Sequence, residues 1–307
     1  MENSNKKIRI GVIGYGAMGK NHLSKYLKMP NVEVVGVSDP DKEVFEKKFK
    51  IPIYSDYKEL LNQVDGVSIV VPTILHKEVA IDCCDKGVHC LVEKPITFTT
   101  LEAMKLVEVV KHNNIKLLVG HVENFNPGVQ MVKEMLNNKM VSNIVTVHST
   151  RMSPPREVSS DVGVITDLGV HDFGVIRYLF GKSMTNIVSR YRSIRGGKED
   201  IAIILGNIDK IPVLIETNWI SPSKIRELKI NGYVGSITLN YMTQQIKLCY
   251  NGAMSTEDYS VPIVVKYQEP LKLELNHFID CIKNDTKPLI DAEEGMEILR
   301  MAEEALE

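Results

Sequence analysis

Asp167 and His171 stand four residues apart in the run Asp167-Leu168-Gly169-Val170-His171-Asp172. On a helix that spacing puts both on one face, where they can meet each other or a single ligand atom. A carboxylate beside an imidazole orients the ring and holds its proton balance near neutrality, as a general base requires. The same pair also reads as a helix N-cap, Asp167, followed by a surface or core histidine. Lys94, in Glu93-Lys94-Pro95, is a second candidate. The proline restricts the backbone of the preceding residue and so fixes the base of a long cationic side chain. Alternatively, a Lys-Pro at the end of a strand is a solvated turn.

A third group of residues could hold a phosphate. Gly14-Tyr15-Gly16-Ala17-Met18-Gly19 follows the apolar run Ile8–Ile13 and opens a helical pattern containing Leu23, Tyr26 and Leu27. In that setting Gly14 permits a tight turn, Gly16 lets a pyrophosphate approach the backbone, and Gly19 lets helix and strand pack. The N–H groups around Ala17 and Met18 then hold the anion together with the helix dipole. The next strand-like run ends in Ser38-Asp39, 25 residues after Gly14, where a carboxylate can accept hydrogen bonds from ribose hydroxyls. Its charge would repel a 2′-phosphate and no arginine stands beside it, so NAD is expected rather than NADP. Asp39-Pro40-Asp41 is also compatible with a plain turn and N-cap.

These groups need a scaffold. Short apolar runs at 8–13, 32–37, 66–71, 88–92 and 115–119 alternate with helical patterns at 17–29, 41–49, 56–62, 76–86 and 100–112. The strands lack polar alternation, as when both faces of a parallel sheet are covered, so this is the βαβ rhythm of a doubly wound α/β fold. After residue 140 extended runs follow one another, at 143–151, 187–194, 201–208, 213–220, 225–231, 236–241 and 245–250. Turn signals such as Gly196-Gly197 and Asn231-Gly232 separate several of them. A large open, mostly antiparallel sheet is expected in an α+β domain, with helices at 168–180, 271–283 and 292–306, the last two packing back on the body. The expected domains are residues 1–121 and 122–307.

Composition limits the partner. The chain has 307 residues, 37 Lys+Arg against 39 Asp+Glu, and a formal charge of −2. No global field would attract a polyanion, which weighs against nucleic acid and membrane surfaces and leaves a small molecule. The five cysteines show neither zinc nor redox-motif spacing, so no metal site is expected and reduced thiols are the simplest reading. The N-terminus lacks a long apolar core, and no stretch of 18 apolar residues occurs. A cytoplasmic protein is expected.

Taken in order, the glycine motif at 14–19, Val71-Pro72-Thr73 with His76, Glu93-Lys94-Pro95 and Asp167-x-Gly169-x-His171-Asp172 resemble the Gfo/Idh/MocA oxidoreductases across essentially the whole chain. The resemblance implies a Rossmann domain before an open-faced sheet domain, and NAD(P)-linked redox chemistry at a sugar or cyclitol carbon. It implies that Lys94, Asp167 and His171 are catalytic, that the Lys94-Pro95 peptide is cis, and that Val71-Pro72-Thr73 and Glu93 line the cofactor site. His76 either caps the helix that follows or touches the cofactor.

Gly120-His121-Val122-Glu123-Asn124-Phe125-Asn126-Pro127 resembles the GHVERFNP stretch of a subgroup acting on UDP-sugars, with Asn124 in place of arginine. It makes Glu123, Asn124 and Asn126 candidate substrate contacts. Residues 150–198 carry eight Lys or Arg, among them Arg151 and Arg156, against four acids. That excess suits an anionic sugar, although basic residues on strands are commonly just solvated. The expected reaction is oxidation at C3 of UDP-N-acetylglucosamine or a related UDP-sugar. The alternatives are an inositol or hexose dehydrogenase, a redox-assisted glycosidase and a non-enzymatic dinucleotide sensor. A homodimer or homotetramer is expected from the exposed sheet faces.

Overall fold

The computed structural model describes residues 7–41, 51–155, 162–250 and 259–307. They fall into two compact units: Met1–Gly120 with Leu271–Met296, and His121–Pro270 with Glu297–Glu307. Within residues 122–307, Leu271–Met296 groups with the first unit and Glu297–Glu307 with the second. In the first unit Val119 N–H donates to the Ile290 carbonyl at 2.8 Å.

In the first unit the strands β1 (Ile8–Ile13), β2 (Val32–Ser38), β3 (Ile53–Tyr54), β4 (Gly66–Ile69), β5 (His89–Glu93) and β6 (Leu117–Gly120) form one sheet. Its order is β3-β2-β1-β4-β5-β6, and every pair is parallel. This is the order of a dinucleotide-binding doubly wound sheet. Ile10, Val12, Ile69, Leu91 and Leu118 are wholly buried, which explains the uninterrupted apolar runs. The crossovers are α1 (Ala17–Tyr26), α2 (Lys58–Leu61), α3 (His76–Asp85) and α4 (Thr100–His112). In α4 the Thr99 hydroxyl accepts from Glu102 N–H as an N-cap. Apart from Asp41, the helix expected at 41–49 lies outside the described residues.

The second unit holds an eight-stranded sheet of β7 (Ile144–Met152), β8 (Thr185–Arg192), β9 (Ile201–Ile208), β10 (Ile211–Asn218), β11 (Ile225–Gly232), β12 (Gly235–Asn240), β13 (Gln245–Tyr250) and β14 (Tyr259–Ile263). The order is β14-β13-β12-β11-β7-β10-β9-β8, antiparallel throughout except between β7 and β10. Period-2 burial is clear in β9, where Ala202, Ile204 and Ile208 are buried while Ile203 and Leu205 are exposed. The buried face carries α5 (Pro127–Asn137) and α6 (Val170–Phe180), the latter ending at Gly181 with φ 68°. Sequence reading missed α5, although Asn126 before Pro127 is a good start signal, an N-cap followed by proline at the first helical position. It also missed β14 and β3. The remaining helices are α7 (Pro270–Asn284) and α8 (Ala292–Glu304).

Candidate active site

In the first unit the residues read as cofactor contacts gather along one edge of the sheet, at the carboxyl ends of β1, β2, β4 and β5, where open α/β sheets bind ligands. Gly14 has φ +95°, and a Cβ there would lie 2.5 Å from the Val70 carbonyl oxygen. At Gly19 a Cβ would lie 2.1 Å from the Gly14 carbonyl oxygen, whereas at Gly16 it would meet nothing within 4 Å. Two of the glycines are thus required by the protein's own backbone, and the third leaves open space over the helix start. Gly16, Ala17 and Met18 are exposed, and the first turn of α1 carries no acidic side chain. That arrangement fits a pyrophosphate on the first N–H groups of the helix. Asp39 Oδ2 accepts from Tyr15 N–H at 2.7 Å and Oδ1 accepts from Asp41 N–H at 2.9 Å. The carboxylate is therefore fixed beside the glycine loop, with lone pairs left for ribose hydroxyls.

The turn bearing Lys94 is held from below. Its Lys94-Pro95 peptide is cis. Glu93 Oε2 accepts from Lys94 N–H at 3.2 Å, while Glu93 Oε1 lies 3.2 Å from His22 Nε2. His22 Nδ1 is 3.1 Å from the Ser68 hydroxyl, which is 2.9 Å from the Tyr26 hydroxyl. Burial by itself would raise the Glu93 carboxyl. The His22 hydrogen bond, the charges of His22 and Lys94 and the Lys94 N–H together hold it below the ordinary value. Glu93 therefore points into a buried network. His76 does not cap α3, as one sequence reading had it. Its ring bridges two carbonyl oxygens, with Nδ1 2.8 Å from Pro95 O and Nε2 3.0 Å from Val71 O. It thereby ties the Val71-Pro72-Thr73 turn to the Lys94 turn.

In the second unit Asp167 and His171 are both half-buried. The segment begins not as the α-helix expected from 168 but as a π turn, Ile165–Gly169, which runs into α6. Glu199, which sequence reading missed, grips its start. The Glu199 carboxylate accepts from Ile165 N–H at 3.1 Å and its main-chain oxygen accepts from Val164 N–H at 3.0 Å. A Cβ at Gly163 would fall 1.9 Å from that carboxylate. Asp172 anchors the other end: it is fully buried and accepts from the Ser149 hydroxyl at 2.8 Å and from Arg151 Nε.

The other residues read as substrate contacts belong to this same internal network. Arg151 Nη1 donates to Glu123 at 2.9 Å, and the guanidinium stacks on Tyr241, 4.9 Å from the ring centroid. Burial alone would lower the Arg151 pKa, but Asp172, Glu123 and the Tyr241 phenol together raise it. Asn126 caps α5 through Gly128 N–H and donates to Glu123 and to the Tyr241 carbonyl. Asn124 donates to the Gly174 carbonyl. Arg156 lies outside the described residues. Much of the positive charge at 150–198 is likewise engaged, Lys182 with Asp209 and Arg195 with Asp200. That charge excess therefore does not by itself argue for an anionic substrate.

Residues 8–121 match the model of an oxidoreductase family's NAD-binding Rossmann fold, and residues 133–307 match that family's C-terminal alpha/beta domain. The chain belongs to the Gfo/Idh/MocA oxidoreductase family. As a member it is an NAD-dependent oxidoreductase of CH–OH groups, among relatives named as dehydrogenases of sugars and polyols. It is 26% identical to a scyllo-inositol 2-dehydrogenase (NAD(+)) of Bacillus subtilis, over 95% of this chain and 92% of that one. It is 25% identical to a UDP-N-acetylglucosamine 3-dehydrogenase of Acidithiobacillus ferrooxidans, over 96% and 95%. A solved structure of the latter enzyme superposes with a TM-score of 0.88 at 24% identity, covering 98% of this chain and 97% of that one. Levoglucosan dehydrogenase in complex with NADH and levoglucosan shares the fold at 18% identity, with a TM-score of 0.89 over 98% and 96%. Within this Gfo/Idh/MocA chain, no cluster of His, Cys, Asp and Glu among the described residues could hold a metal ion. All five cysteines are free, and no described helix is long and apolar enough to cross a membrane.

Proposed function

We propose that this protein oxidises a secondary hydroxyl of a sugar, with C3 of UDP-N-acetylglucosamine as the first substrate to test, giving a 3-keto sugar. The observation that carries the class of reaction is the glycine loop: an open helix start beside a fixed Asp39, in a chain that also supplies Lys94, Asp167 and His171. NAD, when bound, accepts the hydride from the carbinol carbon. His171 takes the hydroxyl proton as general base. Lys94, its main chain fixed by Glu93, donates a charged hydrogen bond to the reacting oxygen and stabilises developing alkoxide. Asp167 positions substrate and His171. Val71, Pro72 and Thr73, tied to the Lys94 turn by the buried His76, form the wall against which the nicotinamide packs, and Gly14, Gly16, Ala17, Met18 and Asp39 hold the rest of the dinucleotide.

Two observations support the nucleotide sugar: the Gly120–Pro127 stretch, and the relative that is 25% identical over 96% of the chain. In this reading Glu123, Asn126 and Arg151 shape the pocket from behind through their mutual hydrogen bonds, and Asn124 does so through its bond to the Gly174 carbonyl. The inositol relative favours a second reading, a polyol dehydrogenase. The test is a screen for NADH formation with UDP-N-acetylglucosamine, UDP-glucose, scyllo- and myo-inositol and free hexoses, with the product mass measured. Loss of two mass units from UDP-N-acetylglucosamine supports the first reading, and oxidation of an inositol alone replaces it with the second. Bond cleavage without net NADH would mark a redox-assisted glycosidase.

A further inference from the structure

Asp167 and His171 are not related by a regular helix. Val170 N–H donates to the Ile165 carbonyl, five residues back, where an α-helix would use the carbonyl of Thr166. This wide turn encloses Asp167 and closes one residue before His171. It therefore sets the relation between the two side chains in place of ordinary helical spacing. Wide turns of this kind are rare and occur mostly as single turns at functional sites. Gly169 at its end lies over β9 and β10, where an added Cβ would be 3.7 Å from Ile204 and 3.8 Å from Thr217.

The start of the turn is held from outside the helix. Glu199, only 8% exposed, accepts from Ile165 N–H through its carboxylate at 3.1 Å and from Val164 N–H through its main-chain oxygen at 3.0 Å. Ile165 is thus fixed at both ends, its N–H by Glu199 and its carbonyl by Val170 N–H. Asp167 N–H donates to the Gly163 carbonyl at 2.9 Å, and a Cβ at Gly163 would lie 1.9 Å from the Glu199 carboxylate. Only a residue without a side chain at 163 lets that carboxylate reach Ile165. The arm bearing Glu199 is itself pinned. Asp200 N–H donates to the Arg192 carbonyl and Trp219 N–H to the Asp200 carbonyl, each at 2.9 Å. The Asp200 carboxylate accepts from Ile194 N–H and Arg195 N–H, each also at 2.9 Å.

We infer that Glu199 is a positioning residue for the reaction: its grip on Val164 and Ile165 fixes the wide turn and, through that turn, the placing of Asp167 and His171. This rests on the reading of Asp167 and His171 as catalytic residues. A general base must lie within hydrogen-bond reach of the substrate oxygen, and an anchor borne by the rigid sheet secures that reach. Without the carboxylate, Ile165 N–H loses a charged acceptor. Regular α-helical bonding then competes with the wide turn and carries Asp167 around the helix axis relative to His171. A displacement of about 1 Å in such a pair costs up to about 10²-fold in rate.

Glu199→Ala should lower kcat per folded molecule at least about tenfold, with UDP-N-acetylglucosamine or with scyllo-inositol if only that is oxidised. Its NADH affinity should not change. Gly163→Ala keeps Glu199 but drives its carboxylate off Ile165, and should lower kcat likewise. Glu199→Gln, whose side-chain oxygen can still accept from Ile165 N–H, should restore most of the loss. In NMR spectra the His171 ring resonances, identified by their absence from His171→Ala, should shift in both alanine variants while those of His22 and His76 stay. Near-normal kcat in folded Glu199→Ala or Gly163→Ala, unshifted His171 resonances, or a Gln variant as impaired as the Ala variant each overturns the inference. Failure of both alanine variants to fold makes Glu199 a requirement of folding and overturns it too. Near-normal turnover in His171→Ala and Asp167→Ala would instead overturn the underlying catalytic reading, and the inference with it.

Discussion

Arg151 Nε lies 3.1 Å from both carboxylate oxygens of Asp172, the residue immediately after His171. The side chains are 3% and 0% exposed, so this is a charge pair held inside the second unit. Removing one member of a buried pair leaves the other uncompensated. Asp172→Asn keeps the shape but leaves Arg151 with Glu123 as its remaining carboxylate. The expected loss is about 3 kcal/mol in urea-induced unfolding. A loss below about 1 kcal/mol would mean that Glu123 and Tyr241 suffice.

Lys94→Ala and His171→Ala should each lower kcat by roughly 10²–10⁴-fold, the scale of a positioned acid–base or charged group. NADH should still bind, as followed by its fluorescence, because neither side chain carries the pyrophosphate. Near-normal turnover in either variant removes that residue from the mechanism.

The three glycines of the loop should separate into two kinds. Gly19→Ala forces a Cβ against the Gly14 carbonyl oxygen and should cost about 2 kcal/mol of stability or more. Gly16→Ala meets only open space, so its unfolding free energy should stay within about 1 kcal/mol of wild type. Its NADH dissociation constant should nonetheless rise at least about tenfold, since the added methyl stands where the pyrophosphate must approach. Unfolding curves and NADH titrations of the same two variants decide the matter; equal NADH affinity of Gly16→Ala and wild type would place the cofactor phosphates elsewhere.

Asp39→Ala should narrow the preference for NAD over NADP by about tenfold or more in the ratio of kcat/KM values, the worth of one charged hydrogen bond to a ribose hydroxyl. The variant also strips an acceptor from Tyr15 and Asp41 N–H, so activity with both cofactors should fall. The ratio is the informative quantity, and an unchanged ratio would move the discrimination to another residue.

Local features carried much of this protein. The βαβ rhythm was legible because strands buried on both faces read as unbroken apolar runs and their crossovers as amphipathic ones, and Ile8–Ile13, Thr100–His112 and Ile201–Ile208 form as their patterns dictate. The glycine loop was legible because its spacing answers to a backbone requirement, seen in the clashes a Cβ would make at Gly14 and Gly19. The π turn at Ile165–Gly169 was not, since it depends on Glu199, more than thirty positions along the chain from Ile165.

By itself the sequence determined most element types and the order of the motifs, which follow from periodicity and from residues close together in the chain, and those motifs carried the resemblance to the family. Only the tertiary structure decided how the buried charges are shared. His22 meets Glu93 across 71 positions and Arg151 meets Glu123 across 28. Partner choice among ionisable groups depends on distance in space and on desolvation, and neither is written in local spacing. The basic run at 150–198 therefore looked like a landing place for an anion, while folding pairs Arg151, Lys182 and Arg195 with the protein's own carboxylates.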